Sequence, residues 1–549
     1  MKKRNASDLF VQALEAEGVQ TIFALPGEEN LHLLESLRQS SINVVVTRHE
    51  QAAGFMAATQ GRLTGRAGVC LATLGPGATN LATPAAYATL GGFPLVMITG
   101  QKPIHHSPQG QFQMLDTVSL FDPICKFARQ IKAAERVPSL VRDAFRIAEE
   151  ERPGAVLLEL PEDVASEQTA AVSFERKERY YATAAVQSVA EAADLIRNAQ
   201  SPVLLIGAGA NRRRTSRALT QFVRDTGLHF VATQMGKGVI DERSKLYLGT
   251  TALSDGDYVH CALEDADLIV NIGHDVIEKP PFIMKHGGRT VIHVNYRSAS
   301  VDPVYFPHLE VIGDIATSIE RLGEAIGSLP TAASDRHARS SSILQSKIRQ
   351  HDGDTRFPMD PQRIVADVRH VLGSDDIVTL DNGMYKIWFA RNYPAHAPNT
   401  LLLDNALATM GAGLPSAMAA AMLHPDRKIV AVCGDGGFMM NSQELETAVR
   451  LRLNLVVLVL RDGEYGMIKW KQGLEGFDEF ALDFGNPDFV KYAESYGARG
   501  LRVSATEDFM PMLARALDEG GVTLIDVPID YASNTEVLGT ELEQKSCSK

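Results

Sequence analysis

The stretch Lys428–Lys469, KIVAVCGDGGFMMNSQELETAVRLRLNLVVLVLRDGEYGMIK, decides how the chain is read. Ile429–Cys433 and Leu453–Leu460 are apolar runs rich in β-branched residues, which predicts two buried strands. The first is stopped by Gly434-Asp435-Gly436-Gly437 and the second by Arg461-Asp462-Gly463. Between them Asn441, with Glu444 three residues on, predicts a capped helix. So short a strand–helix–strand unit implies a right-handed parallel crossover. Asp435 and Asp462, 27 positions apart, then both lie just beyond the carboxyl ends of parallel strands, the edge where open α/β sheets take ligands. An Asp-Gly turn after a strand is by itself ordinary punctuation. Two of them around one helix suit Mg²⁺ carrying a diphosphate, because Mg²⁺ prefers hard oxygen ligands and takes one or two protein carboxylates. Gly436 and Gly437 let backbone N–H groups approach an anion as the chain turns toward a helix N-terminus.

The rest of the composition narrows the class. The chain has 549 residues, enough for about three domains of ordinary size, with 45% hydrophobic and 22% charged residues. A net charge of −13 argues against nucleic acid or an anionic membrane as the main partner. Cys70, Cys125, Cys261, Cys433 and Cys547 are scattered, odd in number and without metal-binding spacing, so reduced core thiols are expected. No apolar run reaches membrane-spanning length, and MKKRNASDLF lacks the apolar core of a signal peptide. A cytoplasmic enzyme is the expectation.

Read in order, residues 1–165 alternate helix and strand in a doubly wound pattern, with strands expected at Thr21–Leu25, Asn43–Thr47, Val69–Leu74, Leu95–Thr99 and Ala155–Glu159. The charged stretch Glu175–Arg179 suggests a linker. A second unit, 186–325, has strands at Val203–Ile206, Ala266–Ile272 and Thr290–Val294. The polar text from Ser328 to Phe357 suggests a second linker. A third unit, 360–530, holds the opening motif, and the residues from Ser533 onward read as a mobile tail. The fold class is therefore α/β, with three doubly wound parallel-sheet domains.

Three other constellations carry chemistry. Glu50 stands at a helix start just after a strand; alone, it would be a carboxylate on a helix dipole. Asp404–Leu414, DNALATMGAGL, reads as a helix entry packed closely through Ala and Gly. Gly207-Ala208-Gly209 follows a strand and resembles a dinucleotide turn, but Arg212 stands where the last glycine of the motif belongs. Arg212-Arg213-Arg214 can meet phosphates, though such runs are usually solvated surface.

These segments together resemble the acetolactate synthase group of the pyruvate oxidase-like thiamin-diphosphate enzymes. The resemblance rests on Leu25-Pro26-Gly27, RHEQAAGFMAATQGR, TLGPGATN, GQFQMLD, GDGGF and ELETAVRL, and covers nearly the whole chain. The run DFGNPDFVKYAESYGARGLRV, Asp483–Val503, resembles the FAD-independent catabolic branch. The resemblance implies a pyrimidine-binding domain, a central domain and a diphosphate-binding domain. It implies that Glu50 hydrogen-bonds the cofactor's pyrimidine, that the Ala408 carbonyl accepts from its amino group, and that Met410 holds it bent. Gly434, Asp435, Gly436, Gly437, Asp462 and Met467 would bind the cofactor, with Asp435, Asp462 and the Glu464 carbonyl around Mg²⁺. Phe112 and Gln113 correspond to a catalytic pocket pair, with Gly27 and Trp470 also near substrate. Gly273-His274-Asp275-Val276-Ile277-Glu278 resembles the flavin-free form, so FAD is not expected. Glu28-Glu29-Asn30 departs from the lysine-containing segment of the catabolic enzymes and puts negative charge near an anionic substrate. The implied reaction takes pyruvate, releases carbon dioxide and joins the remainder to a second pyruvate as 2-acetolactate. The implied active unit is at least a homodimer with its site across the interface, commonly a homotetramer. Decarboxylation alone, an aldehyde acceptor, an FAD-containing biosynthetic enzyme and a non-catalytic nucleotide-binding regulator are the alternatives. The last conflicts with Glu50, Met410, Asp435 and Asp462 being present together.

Overall fold

A computed structural model of the chain describes residues 4–105, 111–177, 180–251, 263–274, 278, 284–301, 303, 305–327, 335–534 and 536–540. The strands in chain order are β1 (Arg4–Asn5), β2 (Thr21–Ala24), β3 (Asn43–Val46), β4 (Gly68–Ala72), β5 (Leu95–Gln101), β6 (Phe127–Gln130), β7 (Ala155–Pro161) and β8 (Gln168–Thr169). They continue with β9 (Pro202–Ile206), β10 (His229–Ala232), β11 (Tyr247–Thr250), β12 (Leu268–Ile272), β13 (Thr290–Asn295) and β14 (Leu309–Ile312). The last six are β15 (Ile377–Leu380), β16 (Leu401–Leu402), β17 (Ile429–Gly434), β18 (Leu455–Arg461), β19 (Arg499–Arg502) and β20 (Val522–Pro528).

Three six-stranded parallel sheets result. The first runs β3-β2-β4-β5-β7-β6 and the third β16-β15-β17-β18-β20-β19, one topology used twice. The second runs β11-β10-β9-β12-β13-β14, the order of dinucleotide-binding sheets. Central strands such as β5 and β7 are buried along their whole length, as expected where helices cover both faces of a parallel sheet. In each sheet the strand order reverses at one place: between β2 and β4, between β9 and β12, and between β15 and β17. Ligands bind outside the carboxyl ends of such reversals.

The chain packs as two compact units. One is Met1–Arg179 with Ala406–Pro425 and Met439–Leu453; the other is Tyr180–Asn405 with Asp426–Phe438 and Asn454–Lys549. Within the first, the helix Gly413–Leu423 lies on the helix Glu50–Thr64, and Thr59 and Ser416 share a hydrogen bond of 3.0 Å. Both helices are rich in Ala and Gly, so their backbones approach closely.

Four local expectations change. Asn441 caps no helix: its amide donates to Gln51 Oε1 and the Gly411 carbonyl, and the helix begins only at Glu444. Asp435–Phe438 is a single helical turn of its own. The polar stretch after residue 327 contains the helix Asp335–Ile348, because Leu344 reaches the apolar cluster around Val203 and Leu205; Ser328–Ser334 lie outside the described residues. Ser533 and Asn534 are buried rather than mobile, Asn534 accepting a hydrogen bond from the Trp388 indole at 2.8 Å. In the first linker candidate, Arg176 pairs with Glu149 at 2.7 Å, while Glu178 and Arg179 lie outside the described residues. Cys70, Cys125 and Cys433 form no disulfide with one another, and burial pushes the Cys125 thiol up to about 12; Cys261 and Cys547 lie outside the described residues.

Candidate active site

At the reversal of the third sheet, the turns after β17 and β18 are tied together through one carboxylate. Asp435 is buried, and its Oδ1 accepts from the Gly436 N–H at 2.9 Å. Its Oδ2 accepts from the Gly463 N–H and from Asn486 Nδ2, both at 2.8 Å. Asp462 stands beside it. Burial first, and then the charge of Asp435, push the Asp462 carboxyl up to about 7. Two crowded carboxylates of this kind hold a proton between them or take a cation. A β-carbon on Gly466 would stand 2.5 Å from Asp462 Oδ2, and one on Gly437 would stand 3.1 Å from Asp381 Oδ2. No side chain fits at Gly466 without displacing the carboxylate. The Glu464 side chain turns away to Lys469, at 2.9 Å, so only its carbonyl is left for a metal; that oxygen also accepts from the Gly466 N–H at 3.1 Å. Met467 and Trp470 lie half-buried on the helix Gly466–Glu475, and the Trp470 indole N–H has no partner among the described residues.

At the reversal of the first sheet, Glu50 opens the helix Glu50–Thr64 with His49 as its cap, the imidazole Nδ1 accepting from the Gln51 N–H. Asn80 donates to Glu50 Oε2 at 2.9 Å. The opposite oxygen, Oε1, would lie 3.3 Å from a β-carbon on Gly77. Glu444, fully buried, grips this helix start: its carboxylate accepts the Arg48 N–H at 3.0 and 3.2 Å and the Thr447 hydroxyl at 2.7 Å. Gln113 has φ 57°, and its carbonyl would be 3.0 Å from a β-carbon on Gly75. Phe112 is 69% exposed. Ala408 also has φ 56°, and Met410 beyond it is half-buried. Left-handed backbone at non-glycine residues costs energy and gathers at ligand sites. The Glu28-Glu29 pair splits: Glu28 is exposed, whereas Glu29 is buried and paired with Lys102, so its charge does not face solvent uncompensated.

Family models for the thiamine pyrophosphate enzymes match this chain three times: the N-terminal binding domain over 4–120, the central domain over 189–322 and the C-terminal binding domain over 381–527. The chain belongs to the thiamine pyrophosphate enzyme family. Among its relatives, the acetolactate synthase of Bacillus subtilis (strain 168) is 34% identical over 557 residues, 99% of this chain and 96% of that protein. The catabolic acetolactate synthase of Raoultella terrigena is 34% identical over 547 residues, covering 97% of each. The large subunit of acetolactate synthase isozyme 1 from Escherichia coli (strain K12) is 30% identical over 571 residues, covering 98% of each.

In this thiamine pyrophosphate enzyme the donor set beside Asp435 is all oxygen. Besides the two carboxylates and the Glu464 carbonyl it includes Asn486 Oδ1, buried and without a partner among the described residues. Such a set suits a hard divalent cation. His351, Asp354 and Asp360 also lie within ligating reach of one another, but Arg356 binds both carboxylates and Ser533 donates to Asp360. Asn486, Asp381 and Asn80 were not singled out from sequence. Asp381-Asn382-Gly383 ends β15 with the same strand-then-Asp-Gly grammar as β17 and was legible on that ground.

The second sheet is different. Every N–H of its glycine turn is already spent: Gly207 on the Ile272 carbonyl, Gly209 on Gly273, Ala210 on Gly207, Asn211 on Ala208 and Arg212 on Ala210. Ala208 donates to the Glu278 carboxylate at 3.0 Å, and Thr233 donates to the other Glu278 oxygen at 2.6 Å. A diphosphate needs those N–H groups and would meet a carboxylate instead. The residues present do not fit FAD in this turn. Arg214 is spent on Asp314; Asp275–Ile277 lie outside the described residues.

Proposed function

We propose that this chain is an acetolactate synthase that uses thiamin diphosphate and Mg²⁺ to convert two pyruvates into 2-acetolactate and carbon dioxide. The observation that carries the proposal is the Asp435–Asp462 pair at the carboxyl ends of two adjacent strands, whose crowding a divalent cation relieves. Three relatives named as acetolactate synthases, similar over nearly the whole chain, support the choice of reaction.

Thiamin diphosphate, when bound, would supply the carbon nucleophile and the electron sink that decarboxylation of a 2-oxo acid needs. Asp435, Asp462 and the Glu464 carbonyl hold Mg²⁺ and, through it, the diphosphate, with Gly434, Gly436 and Gly437 giving it room and Met467 beside it. Glu50, oriented by Asn80, holds a proton at the pyrimidine, which the Ala408 carbonyl and Met410 keep in place. Phe112, Gln113 and Gly27 line the acceptor side, and the unspent Trp470 N–H is a donor available to substrate. No FAD is used, in keeping with the Glu278 carboxylate in the glycine turn.

The working form is at least a homodimer. No residue of the helix Gly466–Glu475 is buried, and Ile468, Leu474, Phe477 and Phe480 on and after it are 51%, 48%, 66% and 80% exposed. Apolar surface of that kind marks an interface. Among the described residues no helix is long and apolar enough to cross a membrane; free buried thiols accord with a cytoplasmic enzyme.

The test is incubation with pyruvate, thiamin diphosphate and Mg²⁺. Two pyruvates should disappear for each carbon dioxide, and acid should convert the product to acetoin. One carbon dioxide per pyruvate with accumulating acetaldehyde refutes the synthase reading.

A further inference from the structure

The reversal of the first sheet holds a second charged group that the reaction, as proposed above, leaves unused. Lys102, immediately after β5, meets Glu29, in the loop after β2, with Nζ 2.7 Å from Oε1; both side chains are more than nine-tenths buried. Thr73, at the end of β4, donates to the other Glu29 oxygen at 2.6 Å. The three loops therefore converge on one carboxylate at the crevice where a ligand belongs. Close packing fixes the arrangement. A β-carbon on Gly27 would lie 2.3 Å from Thr73 Cβ, and one on Gly100 would lie 2.9 Å from Glu29 Cβ. A β-carbon on Gly77 would touch both the Thr73 methyl, at 2.8 Å, and Glu50 Oε1, at 3.3 Å. Thr73 and the Glu50 carboxylate thus border the same small space.

Burying a carboxylate and an ammonium costs more than their attraction returns unless their remaining donors and acceptors are met. Here they are not all met. An ammonium has three N–H donors. Among the described residues Lys102 spends one, on Glu29. Beside it Asn30, 3% exposed, keeps a buried Oδ1 with no partner. Each Glu29 oxygen has a donor, from Lys102 or from Thr73, whereas Lys102 keeps two N–H groups unspent among the described residues, so the pair presents its positive end. A group that supplies an acceptor to Lys102 completes it, and in a 2-oxo acid that group is the carboxylate.

We propose that Lys102, seated by Glu29 and Thr73, receives the carboxylate of the 2-oxo acid acceptor and sets the preference for a keto acid over an aldehyde. This rests on the proposed reaction. Glu29 is then the support that holds the cation in place and moderates its charge.

The experiment offers pyruvate with and without added acetaldehyde to the wild type, Lys102→Gln, Lys102→Arg and Glu29→Gln. It reads KM for pyruvate, the acetolactate-to-acetoin ratio before acid, and thiamin diphosphate affinity by calorimetry. Lys102→Gln should raise KM about 10-fold or more and shift product toward acetoin by a similar factor, because a hydrogen bond to a charged group is lost. Cofactor affinity should not change. Lys102→Arg should recover most of the preference. Glu29→Gln should move KM the other way, downward, since it leaves Lys102 less neutralised. A purely structural pair predicts the opposite pattern, both single variants damaged alike with no change in product ratio, and that result overturns the proposal. Should Lys102→Gln not fold, Lys102→Arg and Glu29→Gln decide by the same two readouts. A wild type that makes no acetolactate sinks the reaction and the acceptor carboxylate together; one that makes it, with the ratio unmoved by Lys102→Gln, sinks Lys102 alone.

Discussion

Asp435 and Asp462 repel each other, and only a cation or a shared proton makes that arrangement favourable. Asp435→Ala and Asp462→Ala should therefore weaken binding of thiamin diphosphate with Mg²⁺ by more than ~100-fold, beyond the 10–100-fold that loss of an outer-shell partner costs. Calorimetry on folded variants checks this, and unchanged affinity in both would refute the metal assignment. Glu50→Gln should bind the cofactor nearly as well but activate it slowly, because an amide cannot share the pyrimidine proton as a carboxyl does. Deuterium exchange at the thiazolium C2 is the measurement; a wild-type rate would remove Glu50 from the chemistry. Asp435 and Asp462 stand out in the sequence because each follows a strand and leads into a glycine turn, and Glu50 because it opens a helix just after a strand. Asn486 and Lys102 were not, because what matters about them is a partner 51 and 73 positions away, and no local pattern records that.

Strands β2–β5, β7, β9, β12, β13, β17 and β18 were legible, since buried parallel strands are continuous apolar runs; part-exposed strands such as β6 and β19 were not. The capping of the helix after Asp435 was misjudged for a definite reason. Glu444 has the spacing of a local cap, yet its carboxylate is used on the Arg48 N–H, 396 positions away in sequence, to fix where Glu50 begins its helix. Glu444→Ala takes the partner from that part-buried N–H, a cost of about 1 kcal/mol. It should lower kcat far more than it weakens cofactor binding; equal loss of both would show that Glu444 only stabilises the fold. The glycine turn after β9 offers a matching test. The wild type should not bind ADP or FAD, while Glu278→Ala frees the Ala208 N–H and should give measurable binding of both in fluorescence titration. FAD binding by the wild type at micromolar concentration would contradict the closed turn.

The whole chain should be dimeric or larger by light scattering, and Phe477→Asp should shift it toward the monomer. Wild-type monomer at working concentrations would count against the interface. One contribution to stability should fall in mild acid, opposite in sign to that of Asp462, whose raised carboxyl protonates first in the folded chain. His229 on β10 packs 5.0 Å from the His337 ring, and burial, then that neighbour's charge, hold its pKa down at about 4 against 6.5 when unfolded. Between pH 6.5 and about 4 the unfolded chain takes up a proton that the folded chain refuses, so stability is lost as pH falls through that window. The change in thermal midpoint from pH 7.5 to 6 and 5 should be more unfavourable in the wild type than in His229→Gln, which isolates His229 from Asp462; an equal slope would clear His229. One further consequence comes from the helix Gly413–Leu423 lying on Glu50–Thr64. The sequence interval matched by the C-terminal family domain, 381–527, is not a transplantable module, since the helices at 413–423 and 444–450 belong to the body that contains residues 1–179. A chimaera spliced between relatives at the apparent domain boundary would break the apolar contact at that helix pair and the Glu444–Arg48 hold at once. Recombination that keeps 406–425 and 439–453 with the parent of the first 179 residues should yield soluble, active hybrids where a simple exchange fails.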